Sequence, residues 1–235
     1  MFYGYDWSII ILIPAMIFAF VAQGMVNSAF KKYSSVPNGR GLSGAAAARY
    51  ILDRNGLSDV QIVPISGSLT DNYNPMNRTL NLSQTVYDKT SISAVSVACH
   101  EAGHAMQHAE GYAPLKIRNS IVPVVNFSSR FSWILIMIGL ALMFTDGAGG
   151  TFGYLMFNLG VIAFVLVLVF HVITLPVEFD ASNRALKQMQ EYDVLAPDDV
   201  PGAKKVLRAA AMTYVAAVAM AAANLIRILA ISRRD

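Results

Sequence analysis

Residues 100–104 read His100-Glu101-Ala102-Gly103-His104. On a helix, side chains four residues apart leave one face a single turn apart, so both imidazoles can reach one ion. Glu101 beside them can reach a water on that ion without being a ligand, the arrangement that metal-activated hydrolysis needs. With four His and four Glu in 235 residues, chance supplies this spacing in roughly one sequence per thousand. Glycine is costly inside a helix, and Gly103 points to close approach of another backbone or of a substrate.

A catalytic zinc takes three protein ligands and keeps one position open. Candidates for the third are His108, Glu110, His171, Glu178, Asp180 and Glu191. Gln107 and Glu110 stand where the long metzincin pattern requires glycine and histidine, which excludes that class. His108 lies eight residues beyond His100, about 12 Å along a straight helix, too far for both to share one ion. Glu178 fits better, because the topology read below returns it to the side of the membrane that carries the motif. Pro176, just before it, suits the first turn of a new helix, whose dipole tolerates a carboxylate there.

The motif needs a helix, and the apolar positions Ile92, Val95, Ala98, Ala102, Ala105 and Met106 predict one over about 91–109, stopped by Gly111. A shorter helix is predicted over 43–55 with Gly56 as its stop, followed by a strand at 60–65. Residues 66–77 read as a polar, turn-rich run. The alternation of 78–83 predicts a half-buried strand at a sheet edge, along which an extended substrate could lie. Cys99 points about 100° away from His100 on the helix and reads as a small packed residue.

Composition sets the frame. The chain is 55% hydrophobic and 14% charged, with mean hydropathy +0.47, against about 25% charged in a soluble domain. One globule of this size cannot hide that much apolar surface, so a lipid bilayer must cover part of it. A net charge of +3 without a dense basic tract argues against a nucleic-acid partner. The single Cys99 excludes an intrachain disulfide.

Four transmembrane helices are predicted, at about 7–30, 125–144, 152–175 and 209–231. The second and third form a hairpin around the Thr145–Gly150 glycine turn. The first starts without a basic region and reads as a retained anchor. Lys31, Lys32, Lys116, Arg118, Arg184, Lys187, Lys204, Lys205 and Arg208 fall on one side of the first three spans. By the positive-inside rule that side is cytoplasmic, which puts the catalytic parts, about 31–120 and 176–208, in the cytoplasm. Arg233 and Arg234 go against this rule if the last segment crosses. Within the spans, Asn126 and Arg130 read as groups that face the protein interior or snorkel to the cytoplasmic surface, and His171 as a neutral imidazole hydrogen-bonded to a neighbouring helix. Arg184 and Tyr192 read as interfacial anchors.

The motif His100-Glu101-Ala102-Gly103-His104, followed by Leu175-Pro176-Val177-Glu178-Phe179-Asp180-Ala181-Ser182, resembles the YugP-type family of bacterial membrane zinc metallopeptidases, and more distantly the HtpX-type gluzincins. The resemblance covers nearly the whole chain. It implies a zinc endopeptidase with His100 and His104 as ligands, Glu178 as third ligand and Glu101 as catalytic base. HtpX-type enzymes carry aspartate four residues after the third ligand. Here that place is Ser182, which could still orient a ligand histidine.

The resulting expectation is a mainly α membrane protein, one domain over 1–235, with about four transmembrane helices and a small α+β gluzincin-like core. It would sit as a multi-pass protein in the cell membrane with its active site facing the cytoplasm. One Zn2+ held by His100, His104 and Glu178, with Glu101 as general base, would cleave peptide bonds of membrane or membrane-proximal proteins. The competing class is a non-catalytic scaffold or metal-sensing protein that retains the zinc site.

Overall fold

The computed structural model describes residues 7–143, 145 and 148–232. A 3-10 turn, Trp7–Ile11, leads into α1 (Leu12–Ser34). There follow α2 (Gly44–Arg54), β1 (Gln61–Ile65), β2 (Asn72–Asn74), β3 (Thr79–Ser83), α3 (Ile92–Ala109), α4 (Ala113–Met143), α5 (Ala148–Glu191) and α6 (Val200–Ser232). The chain divides into two units, one of Met1–Val21, Ile117–Thr174 and Tyr214–Asp235, the other of Ala22–Lys116 and Leu175–Thr213.

Four helices are long and apolar enough to cross a membrane: Ser8–Ser34, Ala113–Met143, Gly149–Glu191 and Val200–Ser232. Only 11–22% of the most apolar window of each is buried inside the chain, so these windows need lipid around them. Phe20 and Phe127, 74% and 64% exposed, lie on such surfaces. In the first unit Ile136, Phe157, Phe164 and Ile228 form a small core. A Cβ on Gly139 would stand 2.5 Å from the Phe157 nitrogen, so α4 and α5 meet at small residues, as membrane helices do.

The helices outrun the spans read from the sequence, because apolar windows mark lipid-compatible stretches and say nothing of polar turns that extend them. Phe144, the Asp146-Gly147 part of the glycine turn, the tail Met1–Asp6 and Arg233 and Arg234 lie outside the described residues. The expectation at Pro176 is corrected. No new helix begins at Pro176; α5 runs through it without a break. The missing N–H removes one bond of the helical ladder, a loss that apolar helices packed in a membrane protein tolerate. Glu178 is therefore on the same helix as His171.

The second unit is a compact α+β core. Ser43 and Ser91 cap α2 and α3, their side chains accepting from the Ala46 and Ala94 amides. Gly56 and Gly111 end the two helices at φ 72° and 68°. Beyond each glycine, Leu57 N donates to Leu52 O and Tyr112 N to Gln107 O, the six-to-one closure of a left-handed C-terminal turn. The buried cluster takes Ile51 and Leu52 from α2, Leu80 and Leu82 from β3, and Val95, Ala98, Cys99, Ala102 and Met106 from α3. The end of α5 adds Ala185 and Met189, and the start of α6 adds Ala203 and Leu207.

The sheet order is β1-β3-β2, with β1 parallel to β3 from Gln61↔Thr79 to Ile65↔Ser83 and β2 antiparallel to it, Asn72 opposite Asn81. The strand expected at an edge, β3, is thus the central one, and Thr79, Leu80, Leu82 and Ser83 are all buried. Its ladder is filled on both sides, so no substrate can add to it. The cause is β2, which the polar run 66–77 conceals: Asn72-Tyr73-Asn74 pairs with β3 and packs on α3.

Candidate metal centre

The site is built by α3 and by the α5 segment that follows Leu175. The periodicity of α3 buries its Val95, Ala98, Ala102 and Met106 stripe and leaves His100 and His104 together on another face, ring centroids 4.8 Å apart and planes at 81°. The α5 backbone comes close because Gly103 has no side chain: a Cβ there would lie 2.6 Å from the Ala181 carbonyl oxygen. The close approach anticipated for Gly103 is therefore made by the chain's own backbone.

One turn back along α5, Glu178 enters the site. Its Oε2 lies 3.3 Å from His100 Nε2 and 3.6 Å from His104 Nε2. Ligand atoms of the three residues all fall within 4.8 Å of one another. Zinc bonds of about 2.0–2.1 Å at tetrahedral angles put neighbouring ligand atoms roughly 3.3–3.4 Å apart, close to the two spacings found. Glu178 is 2% exposed, and its Oε2 is buried with no hydrogen-bond partner. A carboxylate oxygen so placed is costly unless something binds it. The donor set of two imidazoles and one carboxylate, with that oxygen left over, fits a zinc ion.

Glu101 is 8% exposed and follows His100 directly, three residues before His104. Burial pushes its carboxyl above the ordinary carboxylate range, partly offset by the two histidines, while the Glu178 and Asp71 carboxylates push it further up. A carboxyl raised in this way holds a proton more readily than a free one, as a group that takes up a proton must.

The supporting groups come from both helices. Gln107 Oε1 meets His104 Nδ1 at 3.0 Å, and Gln107 Nε2 donates to the Val177 carbonyl and to Asp180 Oδ2, each at 2.8 Å. Ser182 Oγ stands 3.2 Å from His100 Nδ1. Asp180 also accepts from Arg184 Nε at 2.5 Å, and Arg184 pairs with Glu110 at 2.7 Å. Asp71, at the foot of β2, accepts from the Ser83 amide and hydroxyl; burial nevertheless raises its carboxyl. Cys99 is fully buried, which pushes its thiol up.

Of the candidate ligands read from the sequence, His100, His104 and Glu178 are brought together. His108 instead bonds Tyr73 Oη through its Nδ1 at 2.9 Å. Glu110 and Asp180 are engaged by Arg184, and neither they, His171 nor Glu191 joins the cluster among the described residues. Tyr192 stacks edge-on against Tyr50. Gln107 and Asp71 escaped the sequence reading. The spacing of three from His104 was the available signal for Gln107, since it places the amide beside that imidazole.

A family profile described as "Putative neutral zinc metallopeptidase" matches residues 8–233. The "Putative membrane protease YugP" of Bacillus subtilis (strain 168) is 45% identical over 219 residues, 93% of each chain. No solved structure matches the chain. Motif, apolar helices and near full-length similarity agree, and the chain belongs to this family of membrane zinc metallopeptidases.

Proposed function

We propose that the chain is a multi-pass zinc endopeptidase of the cell membrane that cleaves peptide bonds of membrane or membrane-proximal proteins. His100, His104 and Glu178 hold one zinc ion, and Glu101 is the general base. The catalytic core is gluzincin-like, one domain with its membrane helices, and by the distribution of Lys and Arg it faces the cytoplasm. The observation that carries the reading is the buried, unpartnered Glu178 Oε2 at 3.3 and 3.6 Å from two imidazole nitrogens.

A zinc ion bound there supplies Lewis acidity, polarising a carbonyl and lowering the pKa of its water toward neutrality. The Glu101 carboxylate takes the proton of the attacking water and delivers it to the leaving amine nitrogen as the C–N bond breaks. Ser182 and the Gln107 amide hold the two imidazoles in place through their Nδ1 atoms. No fourth His, Cys, Asp or Glu joins the cluster among the described residues, which supports a position open to water and substrate. With β3 filled on both sides, β2 is the strand edge next to α3 that an extended substrate could use.

The test is Glu101→Gln in purified full-length protein, with a casein-like or membrane-protein substrate. The expected result is retained zinc and loss of cleavage by at least about 100-fold. Equal cleavage by mutant and wild type would refute the assignment. A wild type that holds zinc yet cleaves nothing would favour the scaffold or metal-sensing class.

A further inference from the structure

We infer that Gln107 is a positioning residue that fixes the tautomer and the aim of His104 through a relay running from Asp180 and the Val177 carbonyl. The inference rests on the reading of His104 as a metal ligand. It follows from counting donors and acceptors around one fully buried amide.

A glutamine side chain offers two N–H donors on nitrogen and lone pairs on oxygen. Three partners surround this one: the Val177 carbonyl at 2.8 Å, Asp180 Oδ2 at 2.8 Å and His104 Nδ1 at 3.0 Å. A carbonyl can only accept. Asp180 is held as an acceptor by the Arg184 guanidinium, which donates to the same oxygen from 2.5 Å. Both donors of Gln107 are thus spent on α5, and turning the amide over would set its oxygen against two other oxygens. The Oε1 atom is left facing His104, so Nδ1 must carry the imidazole proton. The lone pair of that ring is then on Nε2, the atom that faces Glu178 Oε2.

His100 has no such constraint. Its Nδ1 meets the Ser182 hydroxyl, which can donate or accept and so leaves the tautomer open. The two imidazoles are therefore oriented by different means, and the rigid one is His104. The same amide ties Val177 to α3, so one side chain sets both the ring of His104 and the backbone next to Glu178. Ser182 supports one histidine directly, and the carboxylate at Asp180 reaches the other through Gln107.

The experiment uses full-length protein in detergent, zinc affinity by chelator competition, and the visible absorption of the cobalt-substituted protein. Gln107→Met keeps the volume and removes all three bonds. It should weaken zinc binding about 10–100-fold and alter the cobalt spectrum. Gln107→Glu keeps an acceptor for His104 but turns a carboxylate on Asp180 and the Val177 carbonyl, and should weaken binding too. Adding Asp180→Asn, whose amide can donate to Glu at 107, should restore part of the loss, which a purely steric role would not allow. Met189→Ala, a buried α5 residue nine positions beyond Asp180 and so about 13 Å further along the helix, should lower thermal stability with affinity and spectrum unchanged. Wild-type affinity and spectrum in Gln107→Met, or no restoration in the double variant, would overturn the inference. A wild-type protein that binds neither zinc nor cobalt would overturn the metal reading itself, a separate and recognisable result.

Discussion

Gly103→Ala tests whether close packing of α3 against α5 sets the metal geometry. On an isolated helix the change should help, since alanine is favoured over glycine by about 1 kcal/mol. Here the added Cβ would lie 2.6 Å from the Ala181 oxygen and 3.2 Å from its Cα, about 0.8 Å short of the 3.4 Å at which such a contact becomes ordinary. The obstacle is backbone, so the strain cannot be relieved by a rotamer change, and overpacking of this kind costs about 1–3 kcal/mol. The strain therefore equals or exceeds the propensity gain. Glu178 is one turn from Ala181 on the same face of α5, so a retreat of that helix by a large part of 0.8 Å carries Oε2 away from both imidazoles. Zinc sites tolerate about 0.2 Å, and binding should weaken at least tenfold, about 1.4 kcal/mol of zinc-dependent stabilisation. Chelator competition gives the affinity, and thermal unfolding with and without zinc gives the stabilisation. A variant that melts higher than wild type in both conditions and binds zinc equally well would show that the helix approach is not what sets the ligands.

Glu178→Ala should sharply lower zinc content by metal analysis; unchanged stoichiometry would move the third ligand elsewhere. Ser182→Ala should weaken zinc binding less than Gln107→Met, because the 3.2 Å hydroxyl contact to His100 is longer and admits either tautomer; the reverse order by chelator competition would contradict this. For Asp71→Asn the sign comes from its raised carboxyl. A raised folded-state pKa means the folded protein favours the protonated form, so ionisation disfavours folding above that pKa. The neutral amide should match or exceed wild-type stability at pH 7–8, with the difference shrinking as pH falls through the carboxylate range; thermal unfolding against pH reads this.

Local signals were the legible ones. The apolar stripe of α3 and the Gly111 stop are written in consecutive residues, and each is found. The approach of Glu178 to the histidines was legible only through topology, as the first charged residue after a long apolar run. Non-local partners were not legible. β2 is three residues of Asn-Tyr-Asn with no alternation to read, formed because β3 and α3 supply its bonds and packing. Its existence in turn converts β3 from an edge into the centre. Pro176 reads locally as a helix start, whereas the surroundings carry α5 straight through it. For Gln107 the spacing of three from His104 could be read, but its two α5 partners, 70 and 73 residues away, could not.

The chain's one thiol, on α3, is sealed in the buried core, and its burial disfavours the thiolate. Alkylating reagents should therefore pass the native protein by, and wild-type sequence is already a silent background for cysteine labelling. Single cysteines replacing Lys31, Lys116, Lys187 or Lys205, all exposed, can be introduced one at a time without removing Cys99. Labelling by a membrane-impermeant maleimide only after the cells are opened would put those positions inside; labelling of intact cells would put them outside.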